Sequence, residues 1–211
     1  MEKLTLYGRQ GWGSVLVETQ LVWYGMPYEF RGIGDLFADQ DAPRELEKVN
    51  PVAQLPTLVL PDGSVMTESA AITLWLAEEN ASSELVPEPR DGDRARFLRW
   101  LMFIASNIYP TYTYVDDPAR FVPEASAQPA FAERVSDRAK KLYGILNDEA
   151  SRPWFLGDRF SVLDIYVCTM THWRPRRPWF EENTANLVAI ADATQALPKL
   201  SEVWARNYPD G

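Results

Sequence analysis

The sequence is short of the residues that most often carry chemistry or cross-links: of its 211 residues one is cysteine, Cys168, and one is histidine, His172. A lone cysteine excludes an intrachain disulfide and any cysteine-rich zinc site. A lone histidine forces any Ser-His-Asp triad through one position. Cys168 reads as a small buried residue and His172 as a helix-end residue, with no neighbour that suggests a ligand set, so no metal is expected. Positive charge is also scarce, 21 Lys and Arg against 30 Asp and Glu for a net charge of −9. Proteins that bind nucleic acid or anionic lipid gather basic residues to neutralise phosphates. The one dense basic stretch, Arg174-Pro175-Arg176-Arg177, is too short for that, so neither nucleic acid nor membrane is an expected partner. Long hydrophobic runs are missing as well. Every apolar stretch meets Arg, Glu or Pro before the roughly 20 residues of a membrane span, and Met1-Glu2-Lys3-Leu4 lacks the apolar core of a signal peptide. A cytoplasmic location is the expectation.

What is there is an ordinary globular composition, 46% hydrophobic and 24% charged, able to form a core without disulfides or metal. Residues 3 to 8 alternate as a short strand, Gly11-Trp12-Gly13 supplies a turn, and Ser14 stands at a helix N-cap position. Val15, Leu16, Val17, Leu21, Trp23 and Tyr24 make the helical stripe; Gly25 can end it and Pro27 keeps it from resuming. Tyr28-Glu29-Phe30 starts a second strand and completes a β-α-β unit. Residues 32 to 49 predict a short or loose helix. The segment Asn50-Pro51-Val52-Ala53-Gln54-Leu55-Pro56 is a loop with two prolines, and Thr57-Leu58-Val59-Leu60 is strongly β-forming. Pro61-Asp62-Gly63-Ser64 carries hairpin-turn chemistry before Val65-Met66-Thr67, and Glu68-Ser69 opens a helix to about Glu79.

Residues 81 to 92 hold Ser82, Ser83, Pro87, Pro89 and Gly92 without periodicity, which marks a linker between a domain over 1–80 and a second over 93–211. The second reads as helix only, over residues 93 to 115, 124 to 150, 161 to 173 and 183 to 206, with breaks at Pro110, Pro153, Pro178 and Pro198. Ser161 and Asp164 have the spacing of a capping box, a structural device that keeps both out of a catalytic role. The helix start at Glu68-Ser69 offers unpaired N–H groups and a partial positive charge to an anion.

A β-α-β unit, a proline loop, a hairpin and a helix, then helices alone, resembles the glutathione S-transferase family over essentially the whole chain. Three segments carry the resemblance: Asn50 to Leu58, Thr67-Glu68-Ser69-Ala70-Ala71-Ile72, and Phe155-Leu156-Gly157-Asp158-Arg159-Phe160-Ser161-Val162-Leu163-Asp164-Ile165. The resemblance implies an α/β thioredoxin-like N-terminal domain, β-α-β-α-β-β-α, followed by an all-α C-terminal domain. It implies that Pro56 is cis, that Leu55 pairs with the cysteinyl part of glutathione, and that Gln54, Leu55, Pro56, Glu68 and Ser69 form the glutathione site. In it Ser69 takes the γ-glutamyl carboxylate and Glu68 the ammonium. The thiolate would be held by a group between the first strand and first helix, where there is no cysteine. Ser14 is the catalytic candidate, with Tyr7, Gln10, Trp12 and main-chain N–H groups as competitors. Gln54 stands where many members have Lys, leaving Arg9, Arg44 or Lys48 to meet the glycine carboxylate.

For the second substrate, a hydrophobic electrophile, the candidates are Trp12, Tyr109 and Tyr112, within an aromatic set that includes Trp100, Phe103 and Tyr114; most of that set reads as core. Trp173, Arg174, Arg176, Arg177 and Trp179 read as a solvated loop anchored by tryptophan. The implied activity is conjugation of glutathione, as co-substrate, to an electrophilic small molecule, in a cytoplasmic homodimer with a detoxifying role. Glutathione-dependent disulfide or peroxide reduction on the same site is the alternative within the family, and a non-catalytic adaptor on the same scaffold is the alternative of another class.

Overall fold

The computed structural model describes residues 3–39 and 41–209. The expected domain limits at 1 and 211, and residue 40 of the stretch expected as a short helix, lie outside the described residues. The chain divides into two compact units, Met1–Val86 with Ala193–Gly211, and Pro87–Asp192.

The first unit is built on a mixed four-stranded sheet in the order β2-β1-β3-β4. Its strands are β1 (Leu4–Gly8), β2 (Tyr28–Gly32), β3 (Thr57–Val59) and β4 (Val65–Met66), and its first three helices are α1 (Val15–Tyr24), α2 (Asp41–Glu47) and α3 (Ser69–Glu79). This is the β-α-β-α-β-β-α order expected. β1 runs parallel to β2, to which α1 connects it, and antiparallel to β3, which forms an antiparallel hairpin with β4. Strand alternation sorts the core into two layers. Leu4 and Leu6 pack with Val17, Leu21, Leu58, Ile72 and Leu76 on the side of α1 and α3, while Tyr7 joins Ile33, Ala42 and Leu46 on the side of α2. Gly25 ends α1 in a left-handed conformation at φ 66°, with its N–H on the Val22 carbonyl and that of Met26 on Leu21, so the last carbonyls of the helix are satisfied.

The second unit is helical: α4 (Arg94–Phe103), α5 (Tyr109–Asp116), α6 (Gln128–Glu149), α7 (Val162–Thr171), α8 (Arg177–Asn183) and most of α9 (Ala185–Gln195). A π-helical segment, Ile104–Ile108, joins α4 to α5 without a gap. Pro110 lies just beyond it, lacking an N–H and crowding the carbonyl one turn back, and the wider π turn accommodates it where a break was expected. Every residue of α7 is buried. Its start carries the expected capping box: the Ser161 hydroxyl accepts from the Leu163 N–H, and Asp164 accepts from the Ser161 N–H at 2.7 Å. Asp164 also accepts from the Phe155 N–H at 2.7 Å, tying the preceding loop to the helix.

Three expectations need correction. Residues 177–183 form α8 because Pro178 occupies its first turn, where a missing N–H costs nothing. The single pattern over 183 to 206 is two helices, α9 and α10 (Ser201–Asn207), parted by a 3-10 turn at Pro198–Leu200. The residues from Ala193 on belong to the first unit, so the expected second domain does not run to the end of the chain; α10 packs on α1.

Candidate functional site

Three chain segments meet at one end of the sheet in the first unit. Continuing the antiparallel register of β1 with β3 sets Gly8 beside Pro56 and Arg9 beside Leu55. Continuing that of β3 with β4 sets Thr67 beside Thr57 and Glu68 beside Pro56. Adjacent strands lie about 4.8 Å apart, so the proline loop is flanked on one side by the turn into α1 and on the other by the mouth of α3.

The loop is held from within. Asn50 is buried, and its Nδ2 donates to the Gln54 carbonyl at 3.0 Å and to Thr57 Oγ1 at 3.0 Å, while its Oδ1 accepts from the Val52 N–H at 3.1 Å. Thr57 Oγ1 donates to the same Gln54 carbonyl at 2.8 Å. The Leu55–Pro56 bond is cis. Among the described residues nothing bonds the main-chain N–H or C=O of Leu55, which leaves a donor and an acceptor of the kind a peptide uses to pair with a strand. Gln54 is exposed and Pro56 buried.

At the mouth of α3, Glu68 has φ 63° and ψ 100°, a backbone state costing a non-glycine residue on the order of 1–3 kcal/mol. It accepts the Ile72 N–H through its carbonyl, while its side chain is exposed. The Ser69 side chain is largely buried, and no side chain caps the helix. The first N–H groups of α3 are therefore open to an anion. Strain of this kind clusters at ligand clamps, and Ala53 at φ 51° repeats it on the other side of Leu55-Pro56.

The turn into α1 differs from expectation at Ser14. Its hydroxyl is fully buried, donates to the Arg9 carbonyl at 3.0 Å and accepts from the Arg9 N–H at 3.1 Å. It caps nothing in α1. The reason lies in Gly8, where a Cβ would come within 2.6 Å of Ser14 Cβ and Oγ: the absence of a side chain on β1 makes the recess into which Ser14 turns. Tyr7 is also occupied, accepting from Arg31 Nη1 at 2.9 Å in the layer beside α2. Among the described residues no backbone acceptor takes the N–H of Gly13 or of Ser14, the two residues just before α1; Gly13 is part-exposed, whereas Ser14 is buried. Trp12 stacks on Phe37 at 5.5 Å, with the Arg9 guanidinium 5.4 Å from its ring centre.

Three cations were candidates for a carboxylate. Arg9 pairs with Asp35 at 3.4 Å and Arg44 with Asp41 at 3.5 Å, whereas Lys48 makes no ion pair among the described residues. A shallow cleft lined by Arg9, Gln10, Phe30, Gly32 and Ile33 lies beside the turn.

In the second unit Tyr109, Tyr112 and Trp173 form an edge-to-face cluster with centroids 5.1–6.0 Å apart. The Tyr112 hydroxyl is taken by that of Tyr143, and burial, then the neighbouring Tyr143, pushes its ionisation well above the ordinary tyrosine range. Trp100 is core, packed on Phe103 and Phe155. Burial pushes the Cys168 thiol up, and burial with the charge of Arg177 lowers His172 to about 4, so neither is poised as nucleophile or base near neutrality. No group of His, Cys, Asp and Glu able to hold a metal occurs among the described residues. None of their helices is long and apolar enough to cross a membrane.

Sequence reasoning missed the residues that hold the site in shape. Asn50 and Thr57 lay inside the recognised loop and have Asx-type local bonding that their residue types permit. Asn207, at the end of α10, bonds Gly11 in the turn into α1 from the far end of the chain and is itself held by Glu18, buried in α1, and no local pattern marks either.

The family model for the glutathione S-transferase N-terminal domain matches residues 17–79. The GST-like protein YncG of Escherichia coli (strain K12) is 39% identical over 206 residues, 97% of this chain and 98% of YncG. A glutathione transferase homologue from Sulfitobacter, solved with bound glutathione, superposes with a TM-score of 0.81 at 21% identity, over 96% of this chain and 97% of that one. A sphingomonad glutathione S-transferase in complex with glutathione gives 0.74 at 25% identity, over 94% and 96%. The chain belongs to the glutathione S-transferase family.

Proposed function

We propose that the protein binds glutathione at this end of the sheet, holds it as the thiolate and conjugates it to an electrophilic small molecule. The observation that carries the reading is the juxtaposition of three uncommitted sets of polar groups: the Leu55 main chain, the α3 mouth at Glu68-Ser69, and the part-exposed N–H of Gly13 ahead of α1. The first suits the cysteinyl segment of an extended tripeptide. The second suits the γ-glutamyl end, its carboxylate at the Ser69 hydroxyl and N–H and its ammonium at the Glu68 carboxylate. Of the three candidate cations Lys48, without an ion pair among the described residues, would meet the glycine carboxylate.

The third set supplies the chemistry. A thiol of ordinary pKa, about 8.5, needs roughly 2.7 kcal/mol of preferential stabilisation for its anion to bring it down by about two units. Hydrogen bonds to a charged acceptor contribute about 1.5–3 kcal/mol and a helix N-terminus about 0.3–1. The Gly13 main-chain N–H together with the start of α1 is sufficient, and the Ser14 hydroxyl, closed on Arg9, is not required. The thiol proton leaves to solvent. The sulfur then attacks the electrophilic carbon, a C–S bond forms, and the leaving group departs with its electron pair. Trp12 in the first unit offers an aromatic face suited to a hydrophobic acceptor. A cytoplasmic homodimer is part of the same reading, supported by exposed apolar side chains such as Val52 and Met102; sedimentation mass tests the dimer.

Calorimetry with glutathione, followed by turnover with an aryl halide, an organic hydroperoxide and a mixed disulfide, tests the function. Heat at millimolar glutathione and conjugation of the halide are expected. Heat with reduction alone moves the activity to disulfide or peroxide chemistry, and no heat points to an adaptor.

A further inference from the structure

We infer that Asn207, from the last helix, is a positioning residue for the thiol-holding turn, orienting the Gly13 N–H through Gly11; this rests on the function proposed above. The Asn207 side chain is buried and its amide is fully used. Its Nδ2 donates to Glu18 Oε2 at 2.8 Å and to the Val203 carbonyl at 3.0 Å, and its Oδ1 accepts from the Gly11 N–H at 3.1 Å. Glu18 dictates that orientation. Its carboxylate is 2% exposed, and its other oxygen accepts from Arg206 Nη2 at 2.8 Å, Arg206 Nε at 3.1 Å and the Tyr28 hydroxyl at 3.0 Å. A buried carboxylate only accepts, so the NH2 of Asn207 must face it and the amide oxygen must face Gly11.

Gly11 is the hinge of the turn, at φ 74°, and a Cβ there would lie 3.4 Å from the Asn207 carbonyl oxygen. Two residues on is the part-exposed N–H of Gly13. The aim of that donor is thus set by a chain of bonds running from Glu18 inside α1, through Asn207, back to the turn that precedes α1. Asn207 touches no reacting atom. Its contribution is orientation, which a merely structural role would not place on the thiol.

The test compares Asn207→Ala and Asn207→Asp, the latter setting a second carboxylate against Glu18, with Val203→Ala, a buried neighbour on the same helix whose side chain contributes to neither bond. The thiolate absorbance of enzyme-bound glutathione is followed against pH, with kcat/KM and the exchange rate of the Gly11 amide. Both Asn207 variants are expected to raise the bound thiol pKa by about one unit, the scale of one misaligned hydrogen bond to an anion. They should lower kcat/KM about 10-fold or more with KM for glutathione little changed. Val203→Ala should lose thermal stability without moving the thiol. If Asn207→Ala does not fold, Asn207→Ser carries the same expectation. An unshifted thiol pKa, or an equal shift in Val203→Ala, overturns the inference. Gly11 exchange is read without glutathione: unchanged exchange in the Asn207 variants sinks the clamp alone, whereas a wild-type protein that binds no glutathione sinks the function.

Discussion

Two buried asparagines hold two sides of the same site, and they work over different distances. Asn50 bonds residues two, four and seven positions away and shapes the proline loop from inside it. Asn207 bonds Gly11 across 196 residues of chain and shapes the turn into α1 from the opposite terminus. A local scaffold forms with its loop, so stability and ligand affinity should fall together when it is cut. A remote one can be cut while the fold survives, and the loss should appear in the chemistry.

Asn50→Ala should have the largest effect on stability. It deletes three bonds and strands buried main-chain groups, at a cost of about 3 kcal/mol in denaturant unfolding, with glutathione binding weakened in parallel. A variant that unfolds normally but loses binding would break the comparison. Gly8→Ala comes next: the added methyl meets Ser14 and Phe30, and overpacking of this kind costs about 1–3 kcal/mol by the same measurement. Ser14→Ala removes two bonds to Arg9 and should cost about 1–2 kcal/mol in thermal or denaturant unfolding. Lys48→Ala should leave stability within about 0.5 kcal/mol and weaken glutathione about two- to five-fold by calorimetry, the range of an exposed ion pair. Arg44→Ala, whose guanidinium already has Asp41, should change affinity less.

The parts of the molecule legible in the sequence were those with local causes. Gly25 with Pro27, the Pro61-Asp62-Gly63 turn and the Ser161–Asp164 box each act within a few residues, and each appears as its residue types require. The order of strands and helices in the first unit follows from them. Proline was over-read as a breaker: at position 178 it starts a helix, and at 110 a π turn absorbs it. The inward turn of Ser14 depends on a recess left by Gly8 on the adjacent strand, and the docking of α10 on α1 depends on Glu18 meeting Arg206 and Asn207. Both are tertiary facts, carried by residues far apart in sequence or by a missing side chain, and no local pattern records them.

Thiolate formation by bound glutathione, titrated against pH in wild-type protein and in Ser14→Ala, tests the central claim most directly. Main-chain donors at the head of α1 predict a thiol pKa lowered by about two units in both proteins, with the serine variant differing only in stability. A depressed pKa that returns to the free value in Ser14→Ala would contradict the account, as would the absence of bound thiolate near neutral pH in the wild type.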